Sequence, residues 1–236
     1  MIRNVCLLLI IFTTSFVSGQ NLQYQKYRTI GLKIQTNGWG LNYSLYNPKF
    51  KYIDAISFGY QNYKTLGESK RNNETIANSP IVLNKMNNMY LFQAGVNKKI
   101  TLGVRNDQSN IGVNALLGGG PALGIFKPIF IEYSQNDTQV IGLQRVRYNP
   151  AVHNPGQIFK ALPLQDRLSE SKLKLGIWTK AALRFDWGSY QSNFKAIEIG
   201  VNLHFIPNSE VIIYQTAPRQ FYGSMYLMLN FGALKD

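Results

Sequence analysis

The 236-residue chain carries 25 Lys and Arg against 12 Asp and Glu, a formal net charge of +13, yet only 16% of its residues are charged and 13% are aromatic. A soluble surface usually needs about a quarter charged residues, so this composition argues against an ordinary soluble globule. The cations are scattered rather than gathered into a basic patch beside a reading element, which argues against nucleic acid as a partner.

Met1 to Gly19 reads as an export signal. Arg3 gives the positive start, Val5 to Phe12 a short apolar core, and Val17-Ser18-Gly19 a small-residue site for cleavage before Gln20. The apolar run is too short to span ~30 Å of hydrocarbon as a helix. Cys6, the single cysteine, lies inside it, so the remainder has no disulfide, thiol nucleophile or thiolate metal site. Residues 20–236 keep 24 of the 25 basic side chains, since only Arg3 is lost, against 12 acids, or about +12. They suit one all-β domain.

Mean hydropathy is −0.15, which a hydropathy window reads as soluble. Strands that alternate polar and apolar residues hide a membrane barrel from such a window. Arg28 to Thr36 places Ile30, Leu32 and Ile34 on one face. Asn37-Gly38 then predicts a two-residue hairpin turn. Trp39, Leu41, Tyr43 and Leu45 form the matching face of strand two; Tyr52, Ile56, Phe58 and Tyr60 that of strand three. Residues 62 to 87 are polar and Asn-rich, a long loop. Tyr90, Phe92, Ala94 and Val96 mark strand four.

Ile111 to Tyr133 predicts one strand of some twenty residues, far beyond the usual five or six. Ile111, Val113, Ala115, Leu117, Leu123, Ile125, Ile129 and Ile131 form its apolar row, and Gly112, Asn114, Gly118, Gly120, Ala122 and Gly124 its small or polar row. Such length, apolar outside and small inside, suits a barrel wall facing lipid. Residues 134 to 171, with Pro150, Pro155 and Pro163, predict a long irregular loop. Three clean strands follow, through Leu173–Trp187, Ile197–Phe205 and Phe221–Phe231.

The count is eight, an eight-stranded antiparallel transmembrane β-barrel. Links three-to-four, five-to-six and seven-to-eight are long, and two-to-three, four-to-five and six-to-seven short. In outer-membrane barrels short turns face the periplasm and long loops face outside, which places both termini in the periplasm. The expected surroundings are outer-membrane lipid and lipopolysaccharide, whose phosphates suit a basic rim.

A barrel of this size has an interior just filled by side chains, so a diffusion pore is not expected. Around the six-to-seven turn, paired residue numbers should sum to 380 or 382. That sets Glu198 opposite Arg184 or Ala182, with Lys180 a diagonal neighbour. A lone carboxylate in a closed lumen is costly, so Glu198 is expected to pair with Arg184, Lys180 or both. No motif for phosphate, zinc or calcium is present, so no cofactor, metal or catalytic residue is assigned. His153 falls in a Pro- and Asn-rich loop and reads as surface. His204 lies near the loop rim, with Ser209 and Glu210 after Pro207.

The runs Gly118-Gly119-Gly120-Pro121-Ala122-Leu123-Gly124, Lys127-Pro128 with Glu132, Arg147-Tyr148-Asn149-Pro150 and His153-Asn154, with the closing Phe221–Gly232 strand, resemble a family of outer-membrane β-barrel proteins of Bacteroidota. The resemblance spans most of residues 20–236. That family has no assigned activity, so it implies a fold and a location but no site residues. Gly232-Ala233-Leu234-Lys235-Asp236 extends beyond Phe231, where outer-membrane barrels usually end. Two roles follow. One is a structural or interaction barrel whose loops 62–87 and 134–171 dock an envelope protein or an external ligand. The other is a lipid A-modifying enzyme, similar to small barrels that use a serine, a histidine and an acid, with its site near His204.

Overall fold

The computed structural model describes residues 26–47, 54–64, 70–71, 81–82, 84–103, 111–134, 143–163, 167–188 and 193–234. The export signal, Tyr52 and the 104–110 and 189–192 turns lie outside them. Eight strands form a closed antiparallel barrel: β1 (Tyr27–Gln35), β2 (Gly38–Tyr46), β3 (Ala55–Tyr63), β4 (Asn87–Gly103), β5 (Gly112–Pro128), β6 (Lys172–Gly188), β7 (Asn193–Phe205) and β8 (Phe221–Leu234). Each pairs with the next in the chain, and β8 pairs with β1. Closure leaves no free strand edge in the wall.

The register fixes the barrel's tilt. Stepping across the ladder from Tyr27 leads through Tyr46, Ala55, Asn97, Gly118, Lys180, Asn202 and Ser224. The next step, continuing the β8–β1 register, reaches the level of Asn37. The path has therefore climbed ten residues, from 27 to 37, in one circuit. For eight strands a stagger of this size goes with the ~35–45° tilt and filled interior of small barrels. Almost every side chain on the path faces inward and is buried.

Outside, the order of a soluble protein is reversed. Ile34 is 63% exposed, Leu175 75% and Met225 65%, while the inward Lys33, Arg184 and Glu198 are 3% exposed or less. Period-two alternation sorts the two sets cleanly in β1, β6, β7 and β8.

Three local expectations need correction. The first turn is centred on Thr36-Asn37, because Gln35 pairs with Gly38. Asn37 is held elsewhere: its amide donates to the Tyr63 hydroxyl at 3.0 Å and to the Gly223 carbonyl at 2.6 Å. Gly38 keeps φ at +131°, and a Cβ there would lie 2.0 Å from the Asn62 carbonyl oxygen. The strand expected over Ile111–Tyr133 leaves the wall at Ile129. Phe130–Tyr133 is a separate strand, flanked by Ile158–Ala161 and Gln144–Arg147 in a three-stranded sheet. Ile131 is therefore not lipid-facing; it is fully buried with Tyr148 and Ile158 in that sheet's own core, and Ile129 packs beside them. Residues 134–171 are accordingly not one irregular loop.

Pro121 is the wall's weak point. Between the pairs Gln93↔Ala122 and Val96↔Gly119, it stands opposite Ala94, and it has no N–H to offer. The Ala94 carbonyl accepts instead from the Trp178 indole, Nε1 to O 3.0 Å, with the ring buried in the lumen. This contact needs a wall without side chains. A Cβ on Gly120 would lie 2.2 Å from the Ala94 oxygen and 2.6 Å from the Gly95 Cα.

Gly120→Ala should consequently cost about 1–3 kcal/mol by overpacking, a fall on the order of 2–12 °C in unfolding temperature. Gly223→Ala, whose Cβ would meet only Leu203 at 3.9 Å, should be neutral. Heat-dependent gel mobility of the purified barrel reads both. Equal effects would show that the indole does not need the glycine run.

Candidate functional site

The lumen holds two charged clusters on inward positions of β1, β2, β5, β6, β7 and β8. The β6–β7 register, with paired numbers summing to 382, sets Arg184 directly opposite Glu198. Their nearest partners nonetheless differ. Lys180 Nζ lies 2.9 Å from Glu198 Oε1, and the Tyr226 hydroxyl donates to the same oxygen at 2.5 Å. Arg184 turns toward the short-turn end: its Nε lies 2.6 Å from Asp186 Oδ1 and its Nη1 donates to the Tyr46 hydroxyl at 2.6 Å. Asn114 donates to the other Asp186 oxygen at 2.9 Å. The guanidinium also lies over the ring of Tyr46, which stacks on Tyr27 at 4.2 Å. Lys33 adds a third cation, 5.2 Å from the Tyr226 ring centroid.

The two ends of the lumen are stoppered. Tyr27, Tyr46, Ala55 and Ala196 cluster at the end with the short turns and termini. At the loop end Tyr63, Met89, Leu91, Phe126 and Tyr222 point inward and meet Ile206 and Ile212 from the β7–β8 loop. Sequence reasoning missed this plug, because it treated the inner face as polar along its whole height. Leu91 and Phe126 at inward phase were the available signal. Filled and stoppered, the lumen offers no open channel among the described residues.

Above the plug the loops knit into a cap. Met86 N–H donates to the Ile212 carbonyl at 2.8 Å, Ile129 N–H to Met86 at 3.0 Å, Tyr148 N–H to Ile129 at 2.8 Å and Tyr214 N–H to Asn84 at 2.7 Å. The three-stranded sheet rides on this cap. Its Glu132 carries Arg145 at 3.1 Å and Lys160 at 3.2 Å. Glu210 at the rim binds Lys172 at 3.0 Å and Lys174 at 3.4 Å. Desolvation raises the Glu210 carboxyl's pKa, but hydrogen bonds and charge from the two lysines outweigh it and hold the value below the usual range.

His204, Ser209 and Glu210 do not form a catalytic group. His204 is buried, its Nε2 3.0 Å from Gln93 Oε1, and Gln61 binds that same oxygen at 2.7 Å. Ser209 donates to the Arg219 carbonyl, and Glu210 faces its lysines. His153 is in the cap, where its Nδ1 accepts from the Asn149 N–H at 3.0 Å and its ring lies 4.8 Å from Tyr133.

Two predictions follow from these contacts. Glu198→Gln strands the Lys180 ammonium in a buried site, at a cost of about 3–5 kcal/mol. Adding Lys180→Met should restore part of that loss, because contacting residues are not additive. Thermal unfolding of both variants checks this, and strictly additive losses would refute the pair. For His153, desolvation lowers the imidazole pKa below its ordinary value. The folded cap thus binds fewer protons than the unfolded chain, and the neutral ring's contribution is complete above the ordinary histidine value and lost as pH falls through and below it. The protection factor of the Asn149 amide, its exchange relative to the intrinsic rate at each pH, should fall as pH drops through and below the ordinary histidine value. His153→Phe should show no such step. A wild-type protection factor indifferent to pH would refute the contact.

No family model matches the sequence, and no curated protein does. Among solved structures, the attachment invasion locus protein Ail of Yersinia pestis, in complex with the heparin analogue sucrose octasulfate, is similar at 10% identity and a TM-score of 0.32, over 89% of this chain and 96% of that one. A second structure of Ail is similar at 11% identity and a TM-score of 0.30, over 89% and 99%.

Proposed function

We propose that this chain is an outer-membrane β-barrel protein with an interaction role, spanning the bilayer by its apolar exterior and presenting its cap outside the cell. The exposed apolar belt carries the reading. Ile30, Ile34, Leu175, Ile177, Val201, Met225 and Leu227 face outward around charges that are buried, an order stable only where the surroundings are hydrocarbon. Aromatic groups edge the belt at its loop end. Trp39, Tyr60 and Phe92 touch on one side, with ring centroids 5.7 and 5.1 Å apart, and Phe205 and Phe221 lie 4.8 Å apart on the other. Outward Arg28, Lys98 and Lys195 mark the opposite end. Aromatic girdles and snorkelling cations are the expected boundaries of a lipid-facing wall.

In this reading the long loops face outside, both termini are periplasmic, Met1–Gly19 is removed on export, and lipopolysaccharide surrounds the rim. Kinship with the Bacteroidota outer-membrane barrels belongs to the same proposal and rests on the motifs of β5 and the cap. The role falls to the cap because the lumen is filled and the three residues of the lipid-modifying alternative engage separate partners. An envelope protein or an external ligand is the expected occupant. Its capture from detergent-solubilised membranes should depend on residues 130–161, while lipid A from a deletion strain should be unchanged by mass. An altered lipid A would favour the enzyme.

Leu227→Arg should cost about 2–4 kcal/mol near mid-membrane and impair assembly. Val152→Arg, at an exposed apolar position in the cap, should assemble normally. A tag inserted after Pro155 should be reached by antibody on intact cells, and one after Ser189 should not. Equal tolerance of both arginines would sink the membrane reading, and surface exposure of the Ser189 tag would reverse the orientation.

A further inference from the structure

The three-stranded sheet of the cap ends on a charged edge. Phe130–Tyr133 is its centre strand, with Ile158–Ala161 on one side and Gln144–Arg147 on the other. Across it the register sets Lys160, Glu132 and Arg145 in one row. Lys160 Nζ lies 3.2 Å from Glu132 Oε2 and Arg145 Nε 3.1 Å from Oε1, so two cations share one carboxylate from opposite sides. The acid is covered, its side chain 9% exposed, while that of Arg145 is 61% exposed. Arg147 is also exposed and stands opposite Phe130 in the next row on the same face. Arg167 lies over that Phe130 ring, its Cζ 5.0 Å from the centroid. Among the described residues, no strand pairs with the outer edge of Gln144–Arg147. Such an edge offers its backbone N–H and C=O groups as a template for another chain.

We propose that this edge takes up an extended acidic segment of a partner protein as a fourth strand, with carboxylates at alternate positions opposite Arg145 and Arg147. It rests on the interaction reading of the cap and defines the chemistry of the partner. A strand added there places alternate side chains, about 7 Å apart, on the face of Arg145 and Arg147 and within cross-strand reach of them. An acid opposite Arg145 extends the row to acid, Arg145, Glu132, Lys160, in which every charge has an opposite neighbour. A basic residue in that place would set like charges directly opposite, which is destabilising. The backbone ladder supplies affinity and the two arginines select the side chains, the division of labour of strand addition.

The test is fluorescence anisotropy of labelled probes on the detergent-purified full-length protein. The probes are a peptide alternating Glu and Thr, one of the same composition repeating Glu-Glu-Thr-Thr, the alternating peptide N-methylated along its backbone, and dextran sulfate. No two glutamates of the Glu-Glu-Thr-Thr repeat are two residues apart, so it can meet only one of the two arginines with an acid. The alternating peptide should bind, and the repeat should bind roughly threefold more weakly, the worth of one exposed cross-strand ion pair. N-methylation should abolish binding. Arg147→Gln, which leaves both contacts of Glu132 in place, should weaken the alternating peptide roughly threefold, and Arg145→Gln added to it on the order of tenfold. Lys172→Gln, which removes an exposed cation at the barrel rim, should change nothing. Heat-dependent gel mobility checks that each variant is folded; if the double variant is not, Arg147→Gln alone decides. Failure of the alternating peptide to bind, equal binding of the two sequence patterns, undiminished binding after N-methylation, or indifference to Arg147→Gln overturns the proposal. So does dextran sulfate held on the same arginines while the peptides show no preference for alternation, which would assign the face to polyanions at large. Any of these can occur while capture from membranes still depends on residues 130–161, so failure here is distinguishable from failure of the interaction reading.

Discussion

Closure of β8 onto β1 is the constraint on which the rest depends. It satisfies the backbone hydrogen bonds of the wall without an edge, and its ten-residue stagger sets a bore that one layer of side chains fills. With the bore set, every inward residue must find its partners among the other residues that fill it, across the bore or along its own strand. Lys180, Glu198 and Tyr226 come from three successive strands, and Arg184, Asp186, Asn114 and Tyr46 from three. None of these groupings is possible at a different register, because a shift of one residue exchanges inside for outside.

Burying this many charges is expensive, and the molecule meets the cost by local pairing. Each lumenal carboxylate has a cation and a neutral donor: Lys180 and the Tyr226 hydroxyl for Glu198, Arg184 and the Asn114 amide for Asp186. A cation and a neutral donor on each carboxylate avoid the uncompensated buried charge that would destabilise the fold. The tyrosine stopper at one end and the mixed aromatic and aliphatic plug at the other keep bulk water from competing for these bonds. The lumen is therefore a core made of polar contacts, and the wall around it is a surface made of apolar ones.

Much of this was legible from alternation alone. The strands through Leu173–Trp187, Ile197–Phe205 and Phe221–Phe231 have the expected faces, because each separates only two environments and carries one residue type toward each. The number of residues in one turn narrowed the residue opposite Glu198 to Arg184 or Ala182, and the ladder selects Arg184. What could not be read was which cation each acid prefers. Arg184 is directly across the ladder from Glu198, yet its long side chain reaches Asp186, two residues along its own strand. Register fixes Cα partners, but a guanidinium on three methylenes chooses within a radius wider than one rung. The Trp178 contact was equally silent in the sequence, since it repairs a carbonyl that lost its donor on a neighbouring strand to Pro121.

The misread stretch after Pro128 shows where period two stops being informative. Ile129 and Ile131 continue the alternation of Ile125 without a break, so the pattern predicts an unbroken wall. The little sheet of the cap is itself two-faced, however, and Ile131 alternates for its core, against Tyr148 and Ile158. A branched aliphatic side chain has the same sequence signature against lipid and against protein, because both remove it from water to a similar degree. Only the partner strand separates the cases: it is β6 up to Phe126 and β4 up to Pro128, and from Phe130 it is Gln144–Arg147 and Ile158–Ala161. The change of partner leaves Asn87 and Pro128 as the last rung on the wall, and Leu162, whose N–H donates to the Phe130 carbonyl at 2.8 Å, brings the returning chain back beside the point where the strand leaves the barrel.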